Sequence, residues 1–494
     1  MQRKILIALL VFEGILAAQP KAWITFAHDS QHSAQSSITA QNLDRIVWQT
    51  PVDLDPQYSG NELLIHYGSP VITGLNTVIV PVKTGATGGF RVDGRQASDG
   101  GLLWSATSDY ILPTHDWTPV FGPTLAAKPT PRVYYPGVGG TVYYRDFPDS
   151  ASGSSGQIAF FGTANYQANP SAYNQNVFIN TPILSDSSGN LFFGFLVTGT
   201  TPVPLRSGIA RISASGQGSW VSVESVSGDS AMTHVVYNCA PALSPDLSTL
   251  YAAVSDGFYG YLVSMNASTL APLAHRLLLD PKSGDKASLN DDGSASPTVG
   301  PDGDVYYGVL ETPFGENNDR GWMLHFNSTL SQLKTPGAFG WDDTASIVPV
   351  TMVPSYHGSS PYLLMTKYNN YLGIGTGNGA NKIAILDPDA TEVDPVTGIT
   401  VMNEVLTMIG QTPDGPPPSV KEWCINSAAI DPSTNAVFAG SEDGRLYRWD
   451  LATNTLTQKI VLTSGIGEAY TPTVVGPNGF VYAINNATLF AIGN

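Results

Sequence analysis

A segment that leads into a run of β-forming residues, usually through a proline, recurs eight times along this chain of 494 residues. Its copies contain Pro70, Pro123, Pro182, Pro241, Pro297, Pro349, Ser427 and Pro472. A second segment, apolar and preceded by a turn, follows each copy and starts at Gly89, Gly156, Ser207, Gly260, Gly321, Asn381, Gly444 and Ala487. A period on the order of 50 residues is typical of repeat architectures, so the rest of the chain is interpreted through this repeat.

Each repeat contains two further runs of β-forming residues, which predicts four short strands per repeat. One run lies between the two recurring segments, as in DVYYGVL after Pro297, and another follows the second segment, as in TQKIVLT near the C-terminus. Such runs between turns are typical of antiparallel strands. Eight four-stranded units predict an all-β fold, an eight-bladed β-propeller, with a repetitive β-sandwich as the alternative.

The two ends of the chain predict how the ring closes. The eighth repeat stops at Asn494, after its third strand, and residues 43–54 match the pattern of the missing fourth strand. We therefore expect this N-terminal strand to pair with the last blade, because closure removes the exposed sheet edges of an open ring.

The first 20 residues have the pattern of a signal peptide. Arg3 and Lys4 precede an apolar run over residues 5–17, and the small residues Ala17 and Ala18 end it. This order of basic, apolar and small residues predicts export, to a secreted or periplasmic location, with a buried N-terminal strand as the alternative. Residues 21–494 are then expected to form a single eight-bladed propeller domain.

Composition excludes two classes of partner. The chain has 23 Lys and Arg against 40 Asp and Glu, a net charge of −17, and nucleic-acid binding needs a basic surface that so few cations hardly supply. No apolar run reaches the roughly 18 residues of a spanning helix, so no membrane span is expected. We expect a monomer that binds a glycan, a small polar ligand or a protein partner.

Two turns carry a more specific pattern. Gly100 lies four residues before Trp104, and Gly216 lies four residues before Trp220. This spacing resembles the tryptophan-docking repeat of pyrroloquinoline quinone (PQQ) proteins, in which the Trp packs between neighbouring blades. Trp48 lies at the equivalent place on the closing strand. The resemblance implies the eight-bladed scaffold throughout residues 21–494.

The dehydrogenase site of the same family is not evident in the sequence. The resemblance to quinoprotein alcohol dehydrogenases would imply two adjacent cysteines, a stacking Trp, calcium ligands and a catalytic Asp. This chain has only Cys239 and Cys424, which are far apart. PQQ is therefore not expected and no cofactor is predicted. The two cysteines fall in connections three blades apart, so we also expect no disulfide between them.

The connections between blades hold the candidate site. They lie on one rim of the ring, and we expect a ligand-binding rim there, because ligand sites gather on loops held by a rigid scaffold. Its candidate residues are His66, His115, Asp116, Trp117, His234, Tyr237, Asp291, Asp292, Trp341, Asp342, Asp343, Glu422, Trp423 and Glu468. Aromatic rings beside carboxylates and imidazoles suit a sugar-like ligand or acid–base chemistry, and crowded carboxylates would suit Ca²⁺. Taken singly, each residue type is also common in turns.

Three functions remain open at this stage. The first is a secreted binding or scaffold propeller that acts through its channel rim. The second is an extracellular carbohydrate-active lyase or hydrolase with its site at the same rim. The third, a quinoprotein oxidoreductase, rests on the resemblance alone. The sequence does not decide whether the protein is an enzyme.

Overall fold

The computed structural model describes residues 22–114, 121–290, 293, 295–464 and 469–494. They form an all-β ring of eight blades, an eight-bladed β-propeller, which confirms the predicted fold class. The predicted signal peptide, residues 1–20, lies outside the described residues. Among the described residues, no helix has the length and apolarity that a membrane crossing requires.

The strands of each blade run antiparallel from the channel outward. Blade 1 comprises Val71–Ile72, Thr77–Lys83, Gly88–Gln96 and Leu102–Ile111. Blade 2 comprises Thr124–Ala126, Arg132–Pro136, Thr141–Asp146 and Ser155–Ala159. Blade 3 comprises Val177–Ile179, Leu184–Ser185, Leu191–Val197, Gly208–Ile212 and Gly218–Ser222. Blade 4 comprises His234–Val235, Ala242–Leu243, Thr249–Ser255, Gly260–Asn266 and Pro272–Leu277.

The second half of the ring follows the same plan. Blade 5 comprises Thr298–Val299, Val305–Val309 and Trp322–Phe326. Blade 6 comprises Ser346–Pro349, Tyr362–Tyr368, Lys382–Val393 and Thr400–Ile409. Blade 7 comprises Ala429–Asp431, Ala436–Ser441, Arg445–Asp450 and Thr455–Val461. Blade 8 comprises Val474–Val475, Val481–Asn485, Thr488–Gly493 and the N-terminal strand Arg45–Pro51.

The remaining elements are short. A hairpin joins Gln57–Ser59 to Glu62–Leu64. The described helices are the α-helices Thr163–Ala168, Pro170–Asn174 and Val223–Ser227 and the 3-10 turns Val138–Gly140 and Val350–Met352. Apolar side chains of neighbouring blades pack face to face into clusters that each span two or more blades.

The ring closes as the sequence predicts. Arg45–Pro51 pairs antiparallel with Thr488–Gly493 and supplies the fourth strand of blade 8. The indole of Trp48 then reaches blade 1, where its Nε1 donates to the carbonyl of Ala97 at 2.8 Å. The ring also lies over Gly100, where a Cβ would come within 2.7 Å of it. Blade 8 is therefore joined to blade 1 by a tryptophan docked on a glycine turn.

The two predicted docking tryptophans differ. Trp104 of blade 1 donates from Nε1 to the carbonyl of Pro148 in blade 2 at 2.7 Å, so it docks between blades as expected. Trp220 is half-buried and packs edge-on against Phe195 of its own blade, with ring centroids 5.9 Å apart. Trp220 also lies against the apolar cluster that spans blades 1 to 3.

The repeat assignment needs three corrections. In blade 2 the segment at Gly156 is the outermost strand, because a tight turn at Val138–Gly140 separates the two preceding strands. In blade 6 Pro349 ends the innermost strand, and Ala345 occupies the place that proline holds in other blades. In blade 5 the expected fourth strand is reduced to bridges at Leu333 and Gly337.

One feature was not predicted. Residues 22–41, which we name the channel strap, run through the ring before the closing strand begins. The backbone of the strap bonds to the innermost strand of blade 1 at Trp23 and to blade 8 at Gln41. Phe26, Ala27 and Ala34 of the strap pack with Ala240. The strap therefore fills the part of the channel that the innermost strands surround.

The docked Trp48 predicts a stability difference between two glycines. Gly100 and Gly398 both have positive φ, 72° and 74°, but only Gly100 lies under a ring, since no heavy atom comes within 4 Å of a Cβ at Gly398. Gly398→Ala is expected to lower the free energy of unfolding by about 1 kcal/mol through backbone strain. Gly100→Ala is expected to lower it by about 3 kcal/mol, because Trp48 is also displaced. Equal losses in chemical denaturation would contradict the docking.

Candidate ligand site on the rim

The predicted rim residues fall into three groups. His115, Asp116, Trp117, Asp291, Asp292 and Glu468 lie outside the described residues. Trp341, Asp342, Glu422 and Trp423 lie together where blades 6 and 7 meet the rim, in the connections that precede these blades, and Asp343 follows Asp342 close to Lys367. His66, His234 and Tyr237 lie in other connections, so the described part of the predicted rim does not form one site.

His234 and Tyr237 contribute to packing in the connection before blade 4. The ring of His234 is buried, and its Nδ1 lies 2.7 Å from Thr233 Oγ1. Tyr237 packs against it with ring centroids 5.2 Å apart and donates to the carbonyl of Thr114 at 3.3 Å. His66 is likewise buried. None of the three offers an exposed surface to a large ligand.

The group at blades 6 and 7 surrounds a cavity of about 500 Å³, which we name the rim cleft. Six parts of the chain form it: the hairpin near the N-terminus, a blade 5 loop at Asp319, the connections before blades 6, 7 and 8, and the rim end of a blade 6 strand with the loop that follows. Its wall includes Glu62, Trp341, Asp342, Lys367, Asn369, Tyr371, Glu422, Trp423, Cys424 and Tyr470.

Lys367 is the central charge of the rim cleft, and sequence reasoning missed it. It is the penultimate residue of the buried strand Tyr362–Tyr368 and is 2% exposed. Its Nζ lies 3.6 Å from Asp342 Oδ2 and 5.6 Å from the ring centroid of Tyr470. The sequence does contain a signal for this residue, because Lys367 is the one charged residue in the strand YLLMTKY. A lysine buried in such a strand needs an acidic partner nearby.

Two carboxyl groups near Lys367 have raised pKa values. Burial raises the pKa of Glu422 to about 7, and the neighbouring Glu442 adds to the rise while Lys367 opposes it. Burial also raises the pKa of Asp343 to about 7, although Lys367 and a hydrogen bond from Thr366 Oγ1 at 2.5 Å act against it. Groups that change protonation near neutral pH are typical of functional sites.

Asn369 fixes the segment that carries Glu422. Its Nδ2 donates to the carbonyl of Trp423 at 3.3 Å, and its Oδ1 accepts from the Trp423 N–H at 3.2 Å. The Trp423 indole is fully buried and packs against Tyr447, with ring centroids 5.3 Å apart. The ring of Trp423 thus packs in the apolar cluster between blades 6 and 7, and its role at the rim stays a prediction.

The aromatic faces that reach the rim cleft are those of Trp341, Tyr371 and Tyr470. All three are half-buried, so part of each side chain is open to solvent. Burial raises the pKa of Tyr371 well above its usual range, and Glu422 raises it further. Tyr371 is then a neutral hydroxyl that can donate or accept a hydrogen bond.

One group of potential metal ligands converges in the described part of the chain. Ligand atoms of Glu422, Cys424 and Glu442 lie within 4.8 Å of one another. Lys421 lies 4.0 Å from Glu442, so a cation already faces the group. Ca²⁺ takes roughly six to eight oxygen ligands, which a thiol and two carboxylates do not supply, and the Ca²⁺ interpretation remains a prediction.

The cysteines have separate structural roles. No disulfide joins Cys239 to Cys424, which confirms that prediction. Cys239 lies in the apolar cluster between blades 4 and 5, where burial raises the pKa of its thiol to about 12. Its sulfur is therefore protonated at neutral pH and unsuited to nucleophilic chemistry.

Asp343 predicts a pH-dependent stability. Its pKa is about 7 when folded and about 3.9 when unfolded, so the folded protein binds the extra proton between these values. The free energy of unfolding then falls as pH rises from 4 to 7. Asp343→Asn, which cannot ionise, is expected to gain about 3 kcal/mol relative to the parent between pH 4.5 and pH 8.

Denaturation at several pH values checks this effect, with Asp285→Asn in an exposed turn as the matched control. Parallel pH curves for the parent and Asp343→Asn would contradict a buried, protonated Asp343.

Compared by sequence, the chain matches no protein-family model and no curated protein. Compared by structure, it is similar to a europium-containing methanol dehydrogenase, at 10% identity and a TM-score of 0.54 over 95% of this chain and 91% of that one. A quinohemoprotein alcohol dehydrogenase from Comamonas testosteroni gives 12% identity and a TM-score of 0.54 over 97% and 82%. Another from Pseudomonas putida gives 14% and 0.53 over 96% and 76%. The chain thus has the PQQ-repeat, eight-bladed β-propeller fold of the quinoprotein alcohol dehydrogenases, a likeness in architecture alone.

Proposed function

We propose that the protein is an exported binding propeller whose rim cleft takes a glycan or a similar small polyhydroxylated ligand. The observation that carries this proposal is the convergence of aromatic faces and hydrogen-bonding groups on one cavity. Trp341 and Tyr470 supply faces on which the C–H side of a sugar ring packs, and Glu422 supplies a carboxylate for paired hydroxyls. The volume of the cleft, about 500 Å³, is in the usual range for small-ligand sites.

The rigidity of the cleft supports the same proposal. Asn369 fixes the backbone of the Glu422 segment, and Lys367 and Asp342 hold each other in place within blade 6 and the connection before it. A site built on such supports loses little conformational entropy when a ligand binds. Export is part of the proposal and rests on the residue pattern of the first 20 residues.

The charge of the rim cleft supports leaving PQQ out of the proposal. Its described wall contains the carboxyl groups of Glu62, Asp319, Asp342, Asp414 and Glu422 but a single lysine, Lys367. A quinone that itself carries carboxylates would meet a surplus of like charge there. The cleft does not fit PQQ, and no step of the proposed function uses the quinone.

A binding measurement tests the proposal. The full-length protein is expected to bind at least one glycan in an array, and calorimetry with that glycan gives the affinity. Trp341→Ala and Glu422→Gln are each expected to weaken binding at least about tenfold, by removing a stacking face or a charged hydrogen bond. Glu224→Gln, which alters an exposed carboxylate paired with Arg206 on blade 3, is the matched control and is expected to change nothing.

Two results would contradict the proposal. One is the absence of binding to every glycan tested, and the other is binding that Trp341→Ala and Glu422→Gln leave unchanged. In the second case the ligand site would lie elsewhere on the rim.

A carbohydrate-active enzyme is the second candidate, favoured by the half-buried carboxyl of Glu422, whose pKa of about 7 suits acid–base work. It is distinguished by turnover of the bound glycan, followed as new reducing ends or as unsaturated products. If the Glu422→Gln variant still binds the glycan but no longer turns it over, the protein is a carbohydrate-active enzyme. Binding without turnover in the parent protein would exclude it.

A further inference from the structure

The channel strap meets the ring through a repeated backbone contact. In six blades, one N–H of the innermost strand donates to a strap carbonyl at 2.7 to 3.0 Å. The donors are Ile72, Leu125, Leu243, Val299, Ile347 and Ile430, and the acceptors in the same order are Trp23, Ile24, Ser30, Gln31, Ser33 and Ala34. The six donors hold the same place in their blades, two residues after the proline or alanine that leads into the innermost strand.

Other contacts join the strap to the remaining two blades. Thr25 Oγ1 donates to the carbonyl of Ile183 in blade 3 at 3.2 Å, and the Gln41 N–H donates to Gly479 in blade 8 at 2.7 Å. The strap therefore contacts every blade in turn. Because most of these contacts use backbone atoms, the channel wall presents donors that any peptide of suitable shape could meet.

Side chains of the strap add selectivity to these backbone contacts. Ala34 is 1% exposed and packs with Phe26, Ala27 and Ala240. His32 is fully buried and donates from Nδ1 to the carbonyl of Pro297 at 2.7 Å. Burial lowers the pKa of His32 to about 4, so this ring is neutral at neutral pH. The His32 contact with Pro297 and the apolar cluster around Ala34 therefore favour particular side chains at these two positions of the strap.

The strap also holds its own shape. Asp29 accepts hydrogen bonds from the N–H groups of Gln31 and Ser33 and from Ser33 Oγ. Burial would raise the pKa of Asp29, but the contacts with His28 and Ser33 outweigh it and lower that pKa to about 2. The turn at residues 28–33 is therefore built by local contacts, as in a preorganised peptide ligand.

We propose that the inner wall of the ring is a peptide-binding site and that residues 22–36 of the chain are its ligand. The link from this ligand to the closing strand passes through Ser37 and Thr39, which are exposed. One cut at this link would leave the strap contacts named above in place, with the Gln41 contact on the ring side of the cut. The peptide would then be held by non-covalent contacts alone and could exchange with a second copy.

The experiment uses the full chain with a protease recognition sequence inserted between Ser37 and Ile38. After cleavage of the folded protein, the peptide is expected to elute with the ring in gel filtration. A fluorescently labelled peptide of residues 22–36 is expected to enter the cleaved ring by exchange, and not the uncut protein. A scrambled peptide of the same composition is expected to stay out.

Two neighbouring substitutions in the labelled peptide provide a matched pair. Ala34→Asp places a charge in the buried cluster and is expected to weaken uptake at least about tenfold. Gln35→Asp places the same charge at a partly exposed position and is expected to change uptake little. Loss of the cut peptide in gel filtration with no change in melting temperature would overturn the proposal. Equal uptake of the two variant peptides would also overturn it. So would failure of the labelled peptide to enter a cleaved ring from which the original peptide has dissociated.

Discussion

The pairing of channel-facing N–H groups with one N-terminal segment is the interaction on which the ring depends. The innermost strand of a blade has a neighbour on one side only, so its other side faces the channel. Here six N–H groups on that side donate hydrogen bonds to carbonyls of the channel strap. A buried N–H without a partner costs about 1–3 kcal/mol, so six of them would cost on the order of 6–18 kcal/mol, which is comparable to the 5–15 kcal/mol that typically separates folded from unfolded domains.

The strap and the closing strand are consecutive parts of one chain. The segment that connects the blades inside the channel therefore continues directly into the strand that closes the ring. Residues 22–41 connect the blades from inside, and Arg45–Pro51 completes blade 8 at its outer edge. Trp48 then joins blade 8 to blade 1 through Ala97 and Gly100. Non-local contacts of this kind are typical of proteins that fold slowly, because loop-closure entropy must be lost before the contacts form.

The strap also affects where a ligand can bind. Phe26 of the strap lies in the channel next to the connections that lead into the blades. The rim cleft lies where blades 6 and 7 meet the rim, and its side chains come from connections rather than from innermost strands. Tyr470 lines both the cleft and the pocket beside Phe26. The scaffold thus separates two tasks, with backbone contacts holding the channel and side chains at the rim offering chemistry.

The sequence predicted those features that repeat or that occupy consecutive residues. Eight copies of one pattern predicted the blades, and the match of residues 43–54 to the fourth-strand pattern predicted the closing strand, because both patterns are local. The strap was missed since its contacts use backbone atoms, which have no sequence signature, and join residues hundreds of positions apart. At the site, Trp341, Asp342 and Glu422 were found through their connections, whereas Lys367 lies within a strand, and the burial of Trp423 depends on Tyr447.

Hydrogen exchange of the innermost strands tests most directly whether the strap holds the ring. Mass spectrometry of overlapping peptides resolves the amides of Ile72, Leu125, Leu243, Val299, Ile347 and Ile430 in the native protein. If the strap carbonyls occupy these donors, the six amides exchange as slowly as those in the buried second strands of the same blades. Exchange as fast as that of the exposed turn at Gly398, with the second strands still protected, would contradict the account.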